Sequence, residues 1–211
     1  MAISFKRNRL RRVSQPATPV RVTGQTVSSG DVHIDQRLPG GGWPLASLTE
    51  LYADRCGESD LHLLVPTIQR VLRYSHRRIA LIGPPRMSTA ATPARLGMER
   101  SRFWTAQPAN PAEACSLACE ALESGAFGVV MLWETRLVEH QLRRLDRAAD
   151  DGHCLAFLCR EQPVPKHDFP NNRLQVGVTL KPETGELYLR CSSHVAALMG
   201  TRQIRSGARA A

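Results

Sequence analysis

Apolar residues in this chain gather in short blocks separated by helix-like stretches. SLTELYA (47–53) predicts a strand, and RRIALIGPP (77–85), closed by two prolines, predicts a buried one. FGVVMLW (127–133) and CLAFLCR (154–160) are near-continuous apolar runs, the pattern of strands covered on both faces. SRFWTAQP (101–108) predicts a weaker strand. Between these blocks the period changes. A helix is expected from about Leu61 to Tyr74, beginning late or bending at Pro66. A second starts at Asn110, with Pro111 at its first position and Glu113 placed for a capping box; Cys115, Ala118, Cys119 and Leu122 share its inner face, and Gly125 ends it. A third is expected over 136–150, with Val138, Leu142, Leu145 and Ala149 toward the core. The last block, RLQVGVTLKPETGELYLRCSS (173–193), alternates on both sides of a Pro-Glu-Thr-Gly turn and predicts an antiparallel hairpin. The succession predicts an α/β fold: a mostly parallel sheet with helices on both faces and an antiparallel C-terminal edge.

Charge changes the picture only at the ends. The 211 residues carry 28 Lys and Arg against 19 Asp and Glu, a net charge of +9. Lys6, Arg7, Arg9, Arg11, Arg12 and Arg21 near the start and Arg202, Arg205 and Arg209 near the end have no acid among them. The 28 basic residues less those nine leave 19, which balance the 19 acids of 31–200. The division expected is therefore a basic, disordered segment 1–30, a neutral α/β domain 31–193 and a basic segment 194–211. Lys6, Arg7, Arg9, Arg11 and Arg12 are candidates for weak nonspecific DNA binding. Val195, Leu198 and Met199, followed by Arg202, Arg205 and Arg209, are a candidate partner-binding element.

The chemistry of a site is harder to find. None of the six cysteines forms a C-x-x-C pair, no zinc spacing occurs, and no Ser-His-Asp arrangement follows from spacing, so neither a metal nor a catalytic set is assigned. Cysteines inside apolar runs predict buried thiols, as suits a reducing cytoplasm. No apolar run has the length of a membrane span, and the basic N-terminus lacks the apolar stretch of a secretory signal. On the third helix Arg136, His140, Arg143 and Arg147 share a face that can meet phosphates or an acidic partner. The mixed signs of Glu139, Asp146 and Asp150 favour an ordinary solvated face. Trp43 is read as a core residue or a partner anchor, and Lys166 and His167 as surface-loop residues or DNA contacts.

The stretch LPGGGWPLASLTELYADRCGES (38–59) approaches a phosphate-binding loop, which needs G-x-x-x-x-G-K-[ST] between strand and helix. Ala53 stands where the first Gly belongs, the interval to Gly57 is one residue short, Glu58 replaces the Lys, and only Ser59 is retained. A carboxylate beside a polyphosphate costs roughly 4 kcal/mol at 4 Å and an effective dielectric near 20. The second metal-holding position fails too: Trp133 occupies it, and Glu134 falls one place late. The expectation is a degenerate nucleotide loop, no cofactor and no enzymatic activity.

Leu38, Gly41, Gly42, Pro44, Leu45, Glu50 and Tyr52 resemble the lead into the phosphate loop of RecA recombinases. The version with GGG-W-P and a lost loop is similar to the ImuA family, RecA-like accessory proteins of the bacterial SOS mutasome, over roughly 31–192. That resemblance implies a cytoplasmic, damage-induced, non-catalytic scaffold for error-prone translesion synthesis. Its implied partners are an ImuB-type inactive relative of Y-family polymerases, a DnaE-type polymerase and RecA. The related SulA family shares the truncated core. It implies the alternative, a cell-division inhibitor that binds FtsZ.

Overall fold

The computed structural model describes residues 26–53, 58–85, 93, 98–161, 173–180, 187–192 and 204–206. The basic N-terminal cluster (Lys6, Arg7, Arg9, Arg11, Arg12), Gly57, Lys166, His167, Val195, Leu198, Met199, Arg202 and Arg209 lie outside the described residues.

Strand β3 (Ser47–Ala53) is one of the two central strands of the eight-stranded sheet and has parallel neighbours on both sides. On one side stand β7 (Leu155–Glu161), β6 (Phe127–Trp133), β4 (Arg78–Ile82) and β5 (Phe103–Ala106), all parallel. On the other, β8 (Leu174–Leu180) is parallel to β3 and begins an antiparallel edge with β9 (Leu187–Ser192) and β10 (Ile204–Ser206). The expected parallel sheet with an antiparallel C-terminal hairpin is therefore present. Its edge has three strands, and Arg205, expected in a tail, pairs with Tyr188.

Helix α2 (Glu58–Tyr74) covers one face of the sheet with Leu63, Leu64, Ile68 and Val71. It starts before Leu61 and continues across Pro66, which lies on its exposed side. A missing proline N–H is tolerated more easily on a side that faces water. On the other face, α3 (Pro111–Glu123) and α4 (Glu139–Gly152) pack together. Asn110 Oδ1 accepts from Glu113 N at 2.9 Å, as its cap position predicts. The Glu113 carboxylate reaches back one residue further than a capping box requires, to Ala109 N at 2.8 Å. Gly152 lets the end of α4 touch α3: a Cβ there would sit 1.8 Å from Leu122 O.

The expected third helix is displaced. It runs from 139 to 152, because Gln141 caps it, its Oε1 accepting from Val138 N at 3.0 Å. Arg136 thus precedes the helix, and Val138 is exposed rather than in the core. Asp146 leaves the outer face for the sheet, where its Oδ1 accepts from Leu48 N at 2.8 Å.

The glycine-rich lead is packed structure. Thr26–Val27 (β1), inside the segment expected to be a tail, pairs antiparallel with Trp43–Pro44 (β2). Gly40 and Gly41 have φ of 75° and 79°, and a Cβ at Gly42 would lie 2.6 Å from Val27 O. Trp43 is fully buried, edge-on to Phe157 at 5.4 Å, so it is a core residue and not an exposed anchor. A short helix, α1 (Val32–Asp35), is capped by Asp31 just before this lead.

Candidate functional site

In a sheet of this kind, the place for a ligand is the crevice beyond the carboxyl ends of neighbouring strands whose connections leave to opposite faces. At that end of the sheet β3, which leads to α2, lies beside its parallel neighbour β7, whose outgoing connection falls outside the described residues. Ala53 ends β3 and is buried, the connection occupies 54–57, and Glu58 and Ser59 are the first residues of α2. The strand–loop–helix order expected around the degenerate loop is present.

Immediately below that crevice is a buried charged network. Glu50 is 2 % exposed on the face of β3 turned toward α3 and α4. Its Oε2 lies 3.3 Å from Arg160 Nε on β7, and its Oε1 lies 3.2 Å from Arg173 Nε at the start of β8. Tyr52, two residues along and so on the same face, donates its hydroxyl to Glu50 Oε2 at 2.9 Å. Arg173 extends the network by donating from Nη2 to Glu139 Oε2 at 2.9 Å, on the first turn of α4. Glu139 also accepts from Arg143 Nε at 3.0 Å, the expected pairing across one helical turn.

The electrostatics follow from this geometry. Burial pushes the Tyr52 phenol well above its ordinary value, and the adjacent Glu50 charge adds to the shift. At Glu139 partial burial acts upward, but the hydrogen bonds from Arg173 and Arg143 outweigh it and hold the carboxyl below its ordinary range. Burial acts to lower the pKa of Arg173, and its bonds to Glu139 and the charge of Glu50 raise it instead. A carboxylate fastened to two guanidinium groups makes a poor general base, since taking up a proton breaks both pairs. The network therefore ties β3, β7, β8 and α4 together. Arg160 retains one spare donor: Nη2 is buried without a partner, and its Nε faces Glu50 at ion-pair distance but at a poor hydrogen-bond angle.

Periodicity does not reveal this network, because its members come from strand positions and a helix start far apart in sequence. The visible signals were a Glu and an Arg inside apolar strands, at 50 and 160. The basic stripe on α4 is only partly assembled. His140, Arg143, Arg144 and Arg147 line an open groove of about 380 Å³ with Glu123 and Asp151. Arg136 is elsewhere, paired with Glu134 at 3.2 Å. Cys115, Cys119, Cys154 and Cys159 are buried thiols, as expected, and burial pushes the Cys154 thiol up to about 12. Among the described residues no cluster suited to a metal ion occurs, and no helix is long and apolar enough to cross a membrane.

Two curated relatives match the chain. Cell division inhibitor SulA of Pseudomonas aeruginosa is 32 % identical over 116 residues, covering 54 % of this chain and 72 % of that protein. This chain belongs to the SulA family. Cell division inhibitor SulA of Cronobacter sakazakii is 28 % identical over 116 residues, covering 54 % of this chain and 68 % of that protein. The crystal structure of SulA from Pseudomonas aeruginosa superposes with a TM-score of 0.46 at 30 % identity, over 54 % of this chain and 96 % of that one. No known family model matches. The SulA relation is the part of the expected kinship that the comparisons carry.

Proposed function

We propose that this chain is a non-enzymatic inhibitor of bacterial cell division that acts by binding a protein partner, the division GTPase FtsZ. The observation that carries this reading is the kinship with SulA of Pseudomonas aeruginosa, which this chain covers over 72 % of its length. The site chemistry agrees with it. The crevice beside the degenerate loop is floored by a closed ion-pair network, with Glu50 committed to Arg160 and Arg173, so the domain offers a surface more readily than a reaction centre. The test is controlled expression in a bacterium whose division ring carries a fluorescent label. The reading predicts filamentous cells with replicated, separated nucleoids and few rings. Cells of normal length at saturating expression contradict it.

A second reading keeps the translesion role: an ImuA-type scaffold, descended from a RecA-like domain, that binds an ImuB-type protein, a DnaE-type polymerase and RecA. What favours it is the GGG-W-P lead, whose Trp43 is wholly built into the core. It predicts that deleting the gene lowers damage-induced mutation and leaves division unchanged. Under this reading Val195, Leu198, Met199, Arg202, Arg205 and Arg209 form the partner-binding element, so removing 195–211 abolishes binding of the ImuB-type protein.

A further inference from the structure

We propose that the end of the molecule where α2 runs into β4 is a binding surface for single-stranded nucleic acid. Residues 70–78 hold Arg70, Arg73, His76, Arg77 and Arg78 with no acid among them. The fold adds Arg100 and Arg102, because Arg102 Nη2 donates to the carbonyls of Ser75 and Arg77, each at 2.8 Å. Arg77 in turn donates to the carbonyls of Gly152 and His153. Partners of this kind are neutral, so both guanidinium groups keep their charge. Among the described residues, none of these arginines forms an ion pair. Residues 31–200 balance to zero overall, so this end is a local concentration of positive charge and not a sample of a basic domain.

The second observation is an aromatic ring in the midst of that charge. Tyr74 is 56 % exposed at the last position of α2, with the Arg70 guanidinium carbon 6.0 Å from its ring centre. Leaving a large ring in water forgoes the gain of burying it. An exposed ring beside guanidinium groups suits an unpaired base, which stacks on the ring while its phosphates meet the arginines. Duplex DNA offers the phosphates but hides the base faces, and an acidic peptide leaves the ring unused. Against Arg70, Arg73, Arg77, Arg78, Arg100 and Arg102 stand three local carboxylates, Glu99, Asp150 and Asp151, the last two at the end of α4 that Arg77 reaches through the Gly152 and His153 carbonyls, so the patch keeps a net positive charge. The surface lies at the amino ends of the parallel strands, away from the Glu50 network, and stands independently of the division-inhibitor reading.

Fluorescence anisotropy of a labelled oligo-dT with the full-length chain, over a range of salt, tests this. Arg70→Glu with Arg73→Glu should weaken binding and lower the magnitude of the salt slope by about 2, one unit per lost phosphate contact. Tyr74→Ala should weaken it about tenfold with little change in slope, and Tyr74→Phe should retain the affinity. Arg144→Glu with Arg147→Glu, on the α4 groove, is the control and should change binding far less. All of these positions are exposed, and circular dichroism of each variant is the check that it is folded. Affinity insensitive to Arg70, Arg73 and Tyr74 overturns the proposal and places binding in the basic ends. Duplex bound as tightly as oligo-dT, or polyglutamate bound through Arg70 and Arg73 with no oligo-dT binding, overturns it as well.

Discussion

Glu50 is the residue on which the buried charges of the domain converge. It faces two buried guanidinium groups, so removing its charge leaves Arg160 uncompensated and Arg173 with Glu139 alone. Glu50→Gln is expected to destabilise the fold by about 3 kcal/mol, the scale for breaking one partner out of a buried pair. Urea denaturation reads this directly, and an unchanged midpoint would show that the network contributes no stability. Trp43→Ala should cost a similar amount, about 3–5 kcal/mol, by opening a cavity against Phe157. Glu139 has a pH signature. Its carboxyl is held below the ordinary range by Arg173 and Arg143, so the stability it contributes is complete above its unfolded pKa and is lost as pH falls through the lower folded value. The difference in urea midpoint between the native chain and Glu139→Gln should thus be largest near neutrality and vanish in strong acid. A difference that persists at low pH contradicts the assignment.

At the scale of elements, strands were more legible than helix starts. SLTELYA and FGVVMLW coincide with β3 and β6 residue for residue, and in FGVVMLW a strand buried on both faces leaves a near-continuous apolar record. Helix α4 was misplaced by three residues at its start. The sequence around Arg136–Val138 has helical spacing, but Gln141 reaching back to Val138 N sets the terminus where the spacing does not mark it. Helix α2 began early for a related reason: Pro66 reads as a breaker, yet it sits on the water-facing side where a lost hydrogen bond is tolerated. The Asn110 cap was legible and is testable. Asn110→Ala should lower stability by about 1 kcal/mol, measured by thermal unfolding, whereas no change would mean that the Pro111 start alone suffices. Gly152→Ala should be far worse, since its Cβ would collide with the Leu122 carbonyl. The network around Glu50 was the least legible feature. Its members sit at positions 50, 52, 139, 160 and 173, and only the sheet register brings them together.

The whole molecule carries β3 into α2 in the strand–helix order of a phosphate loop, and its sequence at Ala53 and Glu58, with the short interval from Ala53 to Gly57, departs from the pattern that cradles a polyphosphate. The charged floor beneath is neutralised from within. Family kinship with SulA supports the proposed use of the domain, as a body that blocks a partner. The basic end around Tyr74 adds a separate surface, and the two need not act together. The most direct measurement of this account is the binding of the purified full-length chain to purified FtsZ, with GTP turnover followed as the chain is titrated in. The account predicts saturable binding that suppresses turnover and assembly in proportion to the amount of chain added. Undisturbed turnover and assembly at saturating chain, alongside tight binding to an ImuB-type protein, would contradict it.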